Sequence, residues 1–181
     1  ELTIEQILPP TPGQPKKKPM PMPLRLGLIG RDGRDDASAR EWFERAIAAQ
    51  FDWEQAYTYY RSALFPRFGG SIPELLDFGY ECAKTKRYDT PVPFQLVESL
   101  FAIESYILGG PYPQMWAEPR LYPALTELCE NAAKSKEFQG KPVDEERRQW
   151  LRAMRVAFAA RAERFEEILP LLKDTSDAML L

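Results

Sequence analysis

The 181-residue chain is 44% hydrophobic and 12% aromatic, the composition of a folded protein long enough to bury a core. Its 24 basic and 27 acidic residues leave a net charge of −3 with no basic stripe, which argues against a nucleic-acid surface. Histidine is absent, which removes histidine acid–base pairs, Ser–His and Cys–His nucleophiles and imidazole-ligated zinc.

The first 23 residues hold seven of the seventeen prolines. Proline fixes φ and removes a backbone donor, so an extended Pro-rich arm is expected there. Lys16-Lys17-Lys18, the one basic block, reads as part of this solvated linker. The polar turn Arg31–Asp36 closes the segment, giving an expected division into an arm over 1–36 and a helical domain over 37–181. Because the chain begins with Glu1, it is expected to be a processed or truncated piece of a longer protein. No apolar run approaches the roughly 20 residues of a membrane-spanning helix, so no membrane insertion is expected in this segment.

From Ser38 the pattern becomes helical. Ser38 with Glu41, Asp52 with Gln55 and Ser71 with Glu74 read as capping pairs, each ahead of apolar residues at three- and four-residue spacing. Trp42, Phe43, Ala46 and Ile47 form the first apolar face, and Trp53, Ala56, Tyr57, Tyr60 and Leu64 the second. Leu75, Leu76, Phe78, Gly79, Cys82 and Ala83 form the third. Pro91 and Pro93 open a fourth helix through Val97, Leu100, Phe101 and Ile103 to about Leu108, which Gly109-Gly110-Pro111 stops. A loop over Tyr112–Pro119 precedes a fifth helix from Leu121 to Lys136. A long sixth begins at Pro142 and Asp144-Glu145-Glu146 and carries Trp150, Leu151, Met154 and Phe158. A shorter one spans about Glu163–Lys173. No strand-length alternation is present, so the body reads as all-α with about seven helices.

Two stretches fifty residues apart repeat one pattern. Glu81-Cys82-Ala83-Lys84-Thr85-Lys86-Arg87-Tyr88 matches Asn131-Ala132-Ala133-Lys134-Ser135-Lys136-Glu137-Phe138. Leu75/Leu125, Phe78/Leu128 and Gly79/Cys129 hold the same offset. Such self-similarity predicts a repeated helical unit. Cys82 and Cys129 fall at different positions of this echo and form no CxxC. They read as buried apolar thiols, and no metal or other cofactor is expected.

Ala39, Phe43 and Ala46 resemble the small, aromatic and small positions of the second helix of a tetratricopeptide repeat. Leu75, Phe78, Gly79, Cys82 and Tyr88 resemble the positions of a first helix, and Leu125, Leu128, Cys129, Ala132 and Phe138 repeat that register. The offset of 50 exceeds the usual repeat of about 34 residues, so the resemblance is to degenerate repeats. More narrowly, Trp42–Ala46 with Leu64–Ser71 resembles an uncharacterised bacterial domain with a Pro-Arg-aromatic-Gly-Gly-Ser turn between helices. The resemblance implies a right-handed stack of antiparallel helix pairs acting as a non-catalytic scaffold for a protein or peptide partner. Alternatives are a structural or oligomerising domain whose groove its own arm fills, and an anion or small-ligand site.

Candidate contact residues follow from this register. Thr58, Ser62, Tyr80, Lys84, Glu130 and Lys134 are expected on the groove-lining helices, with Lys84 and Lys134 equivalent and suited to a peptide carboxylate or acidic partner. Tyr112 and Trp116, in the Gly-Gly-Pro loop, are aromatic anchors if exposed and core residues if they fold back. Arg67, Gly69, Gly70 and Ser71 lead into a helix N-terminus, where backbone N–H groups attract anions; as a plain turn they need only a cap and relaxed φ. No catalytic set is found: Glu98, Glu104, Glu163, Glu166 and Glu167 read as surface carboxylates on helices.

Overall fold

The computed structural model describes residues 38–106 and 113–173. The Pro-rich arm, the end of the fourth helix at Leu108 and the loop aromatic Tyr112 lie outside the described residues. The chain divides into two compact units, Glu1–Gly69 and Gly70–Leu181.

In the first unit, α1 (Ala39–Ala49) and α2 (Glu54–Ala63) pack as a pair. Ser38 caps α1 with a full capping box: its hydroxyl accepts from the Glu41 N–H, and its own N–H donates to the Glu41 carboxylate at 2.6 Å. These bonds hold the Glu41 pKa below the usual carboxylate value. The expected Asp52 cap does not form. The Trp53 N–H donates to the Gln50 carbonyl and closes a turn around Asp52, leaving Trp53 at the N-cap without a side-chain bond. Phe43 meets Tyr57 edge-on at 5.1 Å and stacks on Tyr60 at 4.6 Å, forming the centre of this unit. A 3₁₀ turn over Pro66–Phe68 ends it at Gly69, whose φ of 101° suits glycine.

In the second unit, α3 (Ile72–Ala83) packs on α4 (Gln95–Tyr106), with a 3₁₀ turn over Val92–Phe94 between them. After a single turn, α5 (Pro113–Trp116), α6 (Leu121–Lys134) packs on α7 (Glu145–Arg161), and α7 on α8 (Phe165–Lys173). Leu75, Leu96, Leu100, Ile103, Leu121, Leu125, Leu128 and Leu151 are fully buried and form the core. Among the described residues this makes seven helices of nine residues or more and one short turn, in packed pairs. No helix among them is long and apolar enough to cross a membrane.

Burial follows the offset of fifty. Leu75 and Leu125, Phe78 and Leu128, Gly79 and Cys129, and Cys82 and Ala132 are all buried; Lys84 and Lys134 are both exposed. The links after the two first helices differ. Between α6 and α7, β1 (Glu137–Phe138) and β2 (Lys141–Pro142) form an antiparallel hairpin turned at Gln139-Gly140, both with positive φ. Two residues per strand are too few for alternation to show, so the hairpin was not legible as strand. The Gln139 N–H donates to the Asp89 carbonyl at 2.7 Å and ties the hairpin to the link after α3.

Two aromatic residues expected on apolar faces are largely exposed: Phe101 on α4 and Trp150 on α7. Trp150 sits at the edge of the core, its ring 6.3 Å from that of the buried Phe94 and the Arg147 guanidinium 4.9 Å from its centre.

Candidate functional site

The α3–α6 cleft brings Tyr80 and Lys84 together with residues from α6. Its volume is about 240 Å³, and Ala83, Ala124 and Leu128 supply the apolar part of its lining. Helix α3 ends beside it. Lys84 is the C-cap, the Thr85 hydroxyl donates to the Cys82 carbonyl at 2.7 Å, and Lys86 turns the chain with a left-handed φ of 54°. This reversal sets Lys84, Lys86 and Tyr88 around one mouth, while Arg120 and Glu127 come from α6 and the residue before it.

Most of these charges are matched. The Lys86 ammonium lies 3.0 Å from the Glu127 carboxylate, which raises the lysine pKa. Arg120 bonds Glu118 at 2.8 Å, reaches Asp77 at 3.9 Å and sits over the Tyr80 ring at 4.8 Å. Lys84 has no ion-pair partner among the described residues.

Tyr80 is only 8% exposed, and its hydroxyl has no hydrogen-bond partner among the described residues. Burial pushes its pKa up to about 12; Glu118 and Asp77 act in the same direction and Arg120 against it. The hydroxyl therefore keeps its proton at neutral pH. The Lys84 ammonium beside an apolar lining suits recognition of a group carrying an acceptor.

Glu130 and Lys134 lie elsewhere. They line a depression of about 430 Å³ between α6 and α7, with Cys129, Arg148, Arg152 and Arg155. Arg155 pairs with Glu130 at 3.1 Å, while Arg152 and Arg148 reach Glu145 at 2.9 and 3.7 Å. Lys84 and Lys134, equivalent in sequence, thus stand at different clefts, because α6 meets α3 with one face and α7 with another. Thr58 and Ser62 belong to the first unit, where the Ser62 hydroxyl donates to the Thr58 carbonyl.

Trp116 is a core residue, 9% exposed. Its indole N–H donates to Glu104 at 3.2 Å and its ring lies 6.1 Å from Phe158, so it is not presented as an anchor. The Gly-Gly-Ser candidates also have local roles. The Arg67 guanidinium lies over Phe68 at 4.8 Å and Phe65 at 5.5 Å. Gly69 makes the left-handed turn, and Gly70 links it to Ser71. Ser71 caps α3, accepting from the Glu74 N–H and donating to the Glu74 carboxylate at 2.8 Å. That carboxylate already stands beside the cap of α3.

Cys82 and Cys129 are free and buried. Burial raises the Cys129 pKa to about 12, which keeps its thiol protonated. Among the described residues no group of three or more His, Cys, Asp or Glu side chains is placed to hold a metal ion.

Residues 1–60 match a domain of unknown function with an Ig-like fold (DUF3458). The match covers a third of the chain, and its described portion, residues 38–60, is helical in α1 and most of α2. Neither the curated proteins nor the solved structures give a match. The α3–α8 body is a helical domain of unknown family.

Sequence reasoning reached Tyr80 and Lys84 but not Lys86, Tyr88, Arg120 or Glu127. Lys86 and Tyr88 sit in the echoed stretch and carried a signal, since Lys136 and Phe138 repeat them. Arg120 and Glu127 carried none, because only the packing of α6 on α3 brings them to Tyr80.

Proposed function

We propose that this chain is a non-catalytic scaffold segment of a larger protein, built from degenerate tetratricopeptide-like helix pairs, that binds a protein or peptide partner. The observation that carries the reading is the α3–α6 cleft, whose apolar lining of Ala83, Ala124 and Leu128 is flanked by Lys84, Lys86 and Arg120. The matched burial at an offset of fifty supports the helical-repeat part of the reading.

The test is titration of the isotopically labelled full chain with three panels of short peptides, acidic, neutral and basic, followed by amide shifts. Binding is expected to move signals over residues 80–88 and 120–128. Panels that leave those signals unmoved, or that perturb only other surfaces, would sink the reading.

A further inference from the structure

We draw no further inference here: the strongest candidate, the exposed apolar stripe of Phe165 and Leu169 on α8, is an unpartnered helix face, and nothing in the structure shows what covers it.

Discussion

A methyl group on Gly79 would lie 3.0 Å from the α-carbon of Leu96, so α3 and α4 meet backbone to backbone at this point. The same methyl would lie 3.3 Å from the Ser99 hydroxyl oxygen. Alanine is the better helix former by about 1 kcal/mol, but a backbone neighbour yields less readily than a side chain. Gly79→Ala is therefore expected to cost a net ~1–2 kcal/mol, the overpacking penalty exceeding the propensity gain. Urea unfolding measures it, and a stabilised variant would show that the two helices are not in contact there.

Arg147 stands among three aromatic rings, its guanidinium 3.7 Å from the centre of Phe138, 4.9 Å from Trp150 and 5.2 Å from Phe94. Burial lowers its pKa, with Asp144 opposing, yet the group stays charged at neutral pH. Arg147→Ala should destabilise by about 1–3 kcal/mol through lost packing and cation–π contact. Arg147→Lys should recover only part, since an ammonium does not stack on three faces. Thermal denaturation of the pair of variants checks the order.

Glu104 accepts the Trp116 indole N–H at 3.2 Å and lies 3.6 Å from the Arg161 guanidinium. Glu104→Leu would leave the buried indole N–H unpaired, at a cost of about 1–3 kcal/mol. In the unaltered protein the Trp116 indole proton should exchange with solvent more slowly than that of Trp150, which is 41% exposed. Equal exchange rates would contradict the burial of Trp116.

Alkaline pH should weaken the fold. Tyr80 and Cys129 both have folded pKa values raised to about 12, from ordinary values of 10.0 and 9.0. Between those limits the unfolded chain releases protons that the folded chain retains. Stability present below about pH 9 is therefore lost as pH rises toward 12. Denaturant midpoints measured from pH 8 upward should fall, with Tyr80→Phe showing the shallower decline. In the folded protein Cys129 should resist alkylation at pH 8, and modification before unfolding would contradict its burial.

The legible parts of the fold were those decided within a few residues. Ser38 and Glu41 are three apart, and their two bonds need nothing from the rest of the chain. The apolar spacing of Leu75, Phe78 and Cys82, and its echo at Leu125, Leu128 and Ala132, likewise reflects the helix turn itself. Asp52 carried the same type of signal as Ser38, but the turn closed by Trp53 and Gln50 enclosed it. A cap pattern is a local competition, and a tighter turn won it.

Sequence alone determined that the body is helical, where most helices begin, and that residues fifty apart share burial, because hydrogen bonding and periodicity act along the chain. Tertiary structure decided that Lys84 and Lys134 stand at different clefts and that Trp116 is core rather than anchor. It also decided that Tyr80 is left without a partner beside Arg120, about forty residues further along. Those outcomes depend on which face of α6 meets α3 and which meets α7, and a repeating pattern does not specify which neighbour each face will find.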